Sequence, residues 1–492
     1  MYQPRRLFLA QQVKQGEVAA ANSAGVSMYQ LMLAAGESVF ELLLTQYSQK
    51  AKVLVLCGGG NNGGDGYVVA KLALQQEMTV DVFALKSPKL LTGDAQKAYQ
   101  DFISAGGRLL ANEPELGSYD VAVDAVLGTG LQGQVRDAIA GVILKVNQAR
   151  LPVIAVDVPS GLCSDTGMPL GVSIQAAHTV TFIGIKQGLV TGQARRYVGS
   201  LSCAGLGIER YFNQQNSAVG YWDLPQLLSL LKPRDLCAHK GTLGKALLIG
   251  GDFGMGGAIL IASKACLKTG AGLTACLTDE RNVMAGLVAS PEVMFAPWES
   301  IHIGERLDWC DAIALGPGLG HSERAKQLFL KVRQSSTSKV LDADALRFLS
   351  QHPSRDSKRI ITPHPGEAAL LLGCTVNDVE SNRYQAAQKL QVRYGGVVVL
   401  KGAGTIIHDG SHSYVCGAGN PGMATGGMGD ALTGILVSLL AQGFGVSLAA
   451  RIGVMIHSYA ADLNAKQNGI VGLSASDVIG ALRVVVNHLQ SE

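Results

Sequence analysis

Charge is scarce in this chain. Only 16% of its 492 residues are Asp, Glu, Lys or Arg, and the formal net charge is +3. So small a surplus gives no electrostatic reason to expect a nucleic-acid partner. Paired cysteine motifs are missing as well. Nine cysteines (57, 163, 203, 237, 266, 276, 310, 374, 416) are scattered, odd in number and without a CxxC. That pattern excludes a disulfide or zinc framework and predicts buried thiols in a reducing cytosol. The start, MYQPRRLFLAQQVKQGE, has only four apolar residues in a row, too few for a signal h-region. The apolar stretch Ala431–Ile456 is cut by Gln442, Gly443, Gly445 and Arg451 into pieces too short to span a bilayer, so two buried helices are expected and no membrane partner. No GxxxxGK[ST] occurs, which excludes a P-loop.

What is present describes a compact α/β enzyme: 47% hydrophobic residues, 61 glycines, and a length that calls for two or three domains. Residues 8–48 read as helices, with apolar positions at Val18, Met28, Leu31, Met32, Ala35 and Val39. Strands then alternate with helices: Lys52-VLVLC, the helical Tyr67–Gln75, Met78-TVDVFAL, a helix near Ala95–Ala105, Tyr119-DVAVDAVLG, helix 136–149, Val153-IAVDVPSG and His178-TVTFIG. Alternation of this kind implies a parallel sheet covered on both faces, with ligands beyond the carboxyl ends of its strands. Asn61, Asn62, Asp65, Asp124, Thr129, Asp157 and Ser160 gather at those ends. Gly58, Gly60 and Gly63 fit GxGxxG, with Asp81 placed as a ribose acid. Asp65 in the first helical turn would face a bound pyrophosphate, and Asn61 and Asn62 are bulky there, so hydride-transfer cofactor binding is disfavoured. The rhythm fails over 205–225, placing a boundary near 220 without a long linker.

In the second half, HKGTLGK, GGDFGMGGAI, LGPGLG, DAD at 342–344, TPHPGE and LKGAGT each sit at an apolar strand end. The stretch Gly417–Leu432, GAGNPGMATGGMGDAL, runs into the apolar segment Ala431–Ala441. A glycine turn opening a helix presents unpaired N–H groups and a positive dipole end, suited to a phosphate or oxyanion. Asp430 there reads as a base, or as a water- or metal-orienting group; the plainer alternative is an N-cap. Asp342 and Asp344 are a weak signal for Mg²⁺, and Glu367 reads equally as a helix cap.

NNGGDG, DAVLGTG and AVDVPSG together resemble the NAD(P)HX epimerase family over roughly residues 10–215. The resemblance implies a Rossmann-like three-layer domain that interconverts the R and S epimers of hydrated NADH and NADPH. It also implies a potassium site at Asn62, Asp124 and Ser160, whose oxygen donors suit a hard cation. Substrate contacts are implied at Asn61, Asn62, Gly63, Gly64 and Asp65, at Gly128, Thr129, Gly130, Leu131, Gln132, Gly133 and Gln134, and at Asp157. Asp157 with Lys186 is the expected acid/base pair, a solvated lysine being the bland alternative.

HKGTLGK, GGDFGMGGAI, LGPGLG, TPHPGE, LKGAGT and NPGMATGGMGD resemble the ADP/ATP-dependent NAD(P)HX dehydratase family over about 232–490, which implies a ribokinase-like three-layer domain. The domains are accordingly set at 1–219 and 220–492. The implied reaction phosphorylates the ring hydroxyl of S-NAD(P)HX and expels phosphate, with Mg²⁺ and ADP, the donor following bacterial members. Asp430 would take the hydroxyl proton, and the N–H groups of Gly426, Gly427 and Gly429 would hold the phosphoryl charge. Lys401, Gly402, Ala403, Gly404, Thr405 and Gly429 are the implied nucleotide contacts. Gly257, Gly318, His364 and Asp430 are the implied hydrate contacts; both glycines also read as turn formers, and His364 as a structural hydrogen-bonder. A ribokinase-like small-molecule kinase is the competing enzyme reading, and a scaffold of messenger-RNA decapping the non-enzymatic one. A closed homo-oligomer is the default expectation.

Overall fold

The computed structural model describes residues 5–487 except 132, 214–216, 218, 232–233 and 299–302. The chain divides into two compact units, Met1–Val219 and Gly220–Glu492.

The first unit is built on six parallel strands in the order Val80–Ala84, Val53–Cys57, Val121–Ala125, Val153–Val156, His178–Phe182, Ser200–Ala204. Alternation along one strand creates both cores. Val53, Val55 and Cys57 pack against the helices Ala10–Ala24, Met28–Gln46, Asn61–Gln75 and Gly93–Ser104. Leu54 and Leu56 face the opposite way, toward Ile143 and Val146 of the helix Asp137–Ala149. Three layers follow. A short strand, Arg6–Phe8, pairs with Ile185–Lys186.

The helix after the first sheet strand begins at Asn61, not near Tyr67 as the glycines suggested. Gly63, Gly64 and Gly66 lower helix propensity, but tertiary packing overrides it. A Cβ at Gly63 would stand 2.2 Å from the Gly58 carbonyl oxygen, and one at Gly66 would stand 2.6 Å from the Ala125 Cβ. These glycines let the helix lie on the strand ends.

In the second unit, seven parallel strands run in the order Met294–Pro297, Leu273–Thr278, Lys245–Ile249, Ala312–Leu315, Ser338–Leu341, Arg359–Ile361, Val397–Leu400. Ile406–His408 and Ser413–Cys416 continue it antiparallel. LKGAGTII is therefore the end of one strand, a tight turn, and its antiparallel neighbour. The helix Met428–Ala441 lies in the core, buried throughout from Ala431 to Ala441. Close packing on the helix Gly256–Thr269 depends on Gly434, whose Cβ would stand 2.0 Å from the Ala262 carbonyl oxygen. Val446–Asn468 packs beside it. Among the described residues, no helix is long and apolar enough to cross a membrane.

Candidate functional site

Asp124 lies inside the strand Val121–Ala125 and is wholly buried. Its Oδ1 accepts the Ser160 hydroxyl at 2.6 Å, and its Oδ2 accepts the Ser160 N–H at 2.7 Å. The Ser160 oxygen in turn accepts the Leu127 N–H at 2.8 Å. Burial pushes the Asp124 carboxyl up to about 6 against these bonds. Asn62, in the first turn of the helix Asn61–Gln75, buries its amide nitrogen without a hydrogen-bond partner. Its side chain would lie 3.4 Å from a Cβ at Gly128. Asn62 and the Asp124–Ser160–Leu127 knot thus meet around the loop that begins at Val126. Thr129, Gly130, Leu131, Gly133 and Gln134 continue that loop at the surface; Gln132 lies outside the described residues.

Lys186, 2% exposed, closes on Asp157: its Nζ lies 2.5 Å from Oδ1 and also donates to the Thr181 hydroxyl at 3.1 Å and the Phe182 carbonyl at 3.2 Å. Asp157 Oδ1 further accepts from Thr181 Oγ1 and Phe182 N. Asp157 holds φ at +65°, a strained conformation for a non-glycine residue of the kind that collects at functional sites. Two further carboxyls face this pair. Burial, then Asp157 and Glu17, push Asp65 well above its ordinary range. Burial likewise raises Glu17, which feels both Lys186 and Asp157. Glu17 comes from the helix Ala10–Ala24 and carried no motif in the sequence. Asp81, the ribose-acid position, instead accepts the Tyr119 hydroxyl at 2.9 Å.

In the second unit Asp430 sits in the first turn of Met428–Ala441, whose N-cap Gly427 has φ +88°. Lys401, immediately after the strand Val397–Leu400, donates to Asp342 Oδ1 at 2.8 Å and stands 3.7 Å from Glu367. The other Asp342 oxygen accepts the Thr433 hydroxyl at 2.7 Å. A Cβ at Gly429 would stand 3.3 Å from Lys401 Nζ and 3.6 Å from Asp342 Oδ2, so a side chain there would press on the lysine tip. Burial first, then the charge of Asp342, raise Asp430 to about 6, with Lys401 opposing. Burial would raise Asp342 too, but the Lys401 charge and hydrogen bonds hold it below its ordinary value. Ala343, between Asp342 and Asp344, has φ +47°.

His364 caps the helix Pro365–Leu372: its Nδ1 accepts the Gly366 N–H at 3.0 Å, and Glu367 bonds back to the His364 N–H at 2.8 Å. The exposed ring keeps Nε2 near Glu367. Gly318, at φ +58°, is required by its turn, because a Cβ would stand 2.5 Å from the Met255 carbonyl oxygen. Gly257 and Gly426 face open space. Gly402, at φ +141°, lies against buried Arg383, which pairs with Glu380 at 2.6 Å and bonds the Leu400 and Lys401 carbonyls. Ala403, Gly404 and Thr405 complete the turn, Thr405 Oγ1 donating to the Gly402 carbonyl.

Sequence reasoning left out Asp342, set aside Glu367 and missed His457. His457 is buried, with Nε2 unpartnered; it bonds the Met428 backbone, and burial lowers it to about 4. The DAD run was the available signal for Asp342. His457 had none, lying in an apolar helix.

A family model described as NAD(P)H-hydrate dehydratase matches residues 246–483, and one described as YjeF-related protein N-terminus matches residues 28–188. The bifunctional NAD(P)H-hydrate repair enzyme Nnr of Vibrio cholerae serotype O1 is 51% identical over 487 residues, 98% of this chain and 99% of that protein. The protein of the same description in Escherichia coli K12 is 43% identical over 490 residues, 98% and 94%. A ribokinase-like superfamily protein of Enterococcus faecalis V583 matches in structure with a TM-score of 0.52 and 29% identity, over 56% of this chain and 97% of that one.

Proposed function

The chain belongs to the family of bifunctional NAD(P)H-hydrate repair enzymes, and on that premise we propose how its residues divide the two reactions. It epimerises hydrated NAD(P)H and dehydrates it. The observation that supports the division is that each unit holds its own lysine–carboxylate cluster, buried at Lys186 and half-buried at Lys401, beside the carboxyl ends of its strands.

In the first unit, Asp157 and Lys186 are the acid/base pair. Exchanging the hydroxyl between faces of its carbon means breaking and remaking a bond there, with a proton delivered and another removed. Asn61–Asp65, Gly128–Gln134 and Asp157 contact the hydrate. The potassium ion fits the residues present through Asp124, a buried carboxylate bonded only to neutral groups. Asn62 would add its amide oxygen, since its unpartnered nitrogen is a hydrogen-bond donor and does not itself favour a cation. Asn62, Asp124 and Ser160 would hold the ion, which supplies the missing counter-charge.

In the second unit, Asp430 removes the proton from the ring hydroxyl of the S-hydrate as that oxygen takes the terminal phosphoryl group of ADP. The N–H groups of Gly426, Gly427 and Gly429 hold the charge of the transferring group. Lys401 and the Gly402–Thr405 turn hold the nucleotide; Gly257, Gly318 and His364 hold the hydrate. Loss of the phosphorylated hydroxyl as phosphate, together with a proton from the neighbouring ring carbon, then restores the double bond of NAD(P)H; AMP is the other product. A Mg²⁺ would be held by nucleotide phosphates and one carboxylate of the Asp342–Glu367–Asp430 group. Bound there, it would neutralise phosphate charge. Six of the nine thiols are buried as expected, whereas Cys163 is half-buried and Cys237 and Cys374 are exposed.

The test mixes both epimers of NADPHX with Mg²⁺, K⁺ and either ADP or ATP, and follows the return of reduced-nicotinamide absorbance. Full recovery with ADP is expected, with a late phase slowed in Asp157→Asn. Recovery with ATP alone would overturn the donor; recovery with neither would overturn the dehydratase assignment. Light scattering should find a homo-oligomer, and a monomer would refute that expectation.

A further inference from the structure

The loop between the strand Lys245–Ile249 and the helix Gly256–Thr269 offers an aromatic ring to solvent. Phe253 is 68% exposed, yet its backbone is braced. Its N–H donates to Asp252 Oδ1 at 2.8 Å. The Asp252 and Gly251 N–H groups donate to the carbonyls of Gly318 and Pro317 at 2.6 and 2.9 Å, and Asn282 donates to the Gly251 carbonyl at 2.6 Å. The ring is pinned from one side. Arg281 Cζ lies 3.9 Å from its centroid, and the guanidinium is itself gripped by Asp279 through two bonds of 2.8 Å.

A fixed aromatic ring with a cation on one face and solvent on the other is a stacking platform. Its place is informative. It opens the helix that carries Gly257, and its loop is hydrogen-bonded to the loop carrying Gly318. The substrate has one flat ring to give it. Hydration puts tetrahedral carbons into the nicotinamide ring, whereas the adenine stays planar. We propose that the free face of Phe253 stacks the adenine of the hydrate during dehydration, an inference that rests on the dehydratase reading above. Adenine is common to NADHX and NADPHX, so this contact serves both substrates alike and carries affinity without touching the reacting bond.

The experiment measures dehydration by wild type, Phe253→Ala and Phe253→Tyr with NADPHX and with the hydrate of reduced nicotinamide mononucleotide, which lacks adenine. Base–aromatic stacking predicts a rise of about tenfold in KM for NADPHX in Phe253→Ala. The kcat, the KM for the nucleotide and the kcat/KM for the truncated hydrate should not change. Phe253→Tyr should behave as wild type. Unchanged epimerisation by the same variants reports that they are folded. The proposal fails if the KM for NADPHX stays put, if both hydrates suffer equally, if the nucleotide KM rises instead, or if wild type handles the two hydrates with equal kcat/KM. Failure of wild type to dehydrate either hydrate would instead overturn the parent reading.

Discussion

Asp430→Asn is expected to lose dehydration and gain stability together. Asparagine keeps the shape of the side chain and removes both the charge and the base. Loss of a positioned general base costs about 10²–10⁴ in rate. The stability effect follows from burial, and then Asp342, raising Asp430 from 3.8 to about 6. That difference of about two units corresponds to roughly 3 kcal/mol. For an acid with a raised folded value, the folded chain holds its proton more tightly than the unfolded chain, so stability falls as pH rises from about 4 to about 6. Above pH 6 the wild type carries the whole penalty, and below pH 4 none of it. Scanning calorimetry at pH 8 should therefore show the variant's second unit melting up to about 6–12 °C higher, at on the order of 2–4 °C per kcal/mol for a unit of this size. The gain should vanish near pH 4. Epimerisation serves as the control in the same sample. A variant that is no more stable at pH 8, or that retains dehydration within about tenfold of wild type, would refute this account of Asp430.

Three further predictions concern the other clusters. Lys186→Met and Asp157→Asn should each abolish epimerisation and spare dehydration. Asp157→Asn should be less stable than wild type in urea melts, by at most the about 3–5 kcal/mol of a broken buried pair, because Lys186 loses its 2.5 Å partner and keeps only the more distant Asp65 and Glu17. Stability equal to wild type would contradict the buried pair. Because burial raises Asp124 to about 6, epimerisation should need more K⁺ as pH falls through 6, seen as a rising half-saturation concentration between pH 7.5 and 5.5. A constant value would remove Asp124 from the cation site. His457→Leu should lower the dehydration kcat roughly ten- to hundredfold through a misplaced first turn of the Asp430 helix, with nucleotide KM unchanged. His457→Asn, which restores a donor to the Met428 backbone, should recover much of it, and unaffected rates in His457→Leu would exclude the positioning role.

The glycine motifs were legible where a glycine answers a local demand, which Gly257 and Gly426 do not. Gly58 stands where a Cβ would meet the Val126 carbonyl oxygen at 1.9 Å, and Gly429 where one would crowd Lys401. Lys186 and Asp157 were legible as a pair because Asp157 follows one apolar strand and Lys186 stands a few residues beyond the next, where a charge needs a reason. The helix start at Asn61 was not legible, since propensity argued against it and only packing argued for it. Least legible was the company each charge keeps. Glu17 reaches the Lys186 site from a helix with no motif, and Asp342 reaches Lys401 from a strand 59 positions away. Only topology joins them. What topology builds in each unit is a local excess of acid: Asp157, Asp65 and Glu17 around Lys186, and Asp342, Glu367 and Asp430 around Lys401. Burial first, and the neighbouring acids after it, drive several of these carboxyls upward: Asp65 and Glu17 in one unit, Asp430 and Glu367 in the other. Asp430, raised to about 6, is placed to exchange a proton near neutrality. A chain with a net charge of +3 conceals that imbalance in its composition. It arises only when the strands bring their ends together.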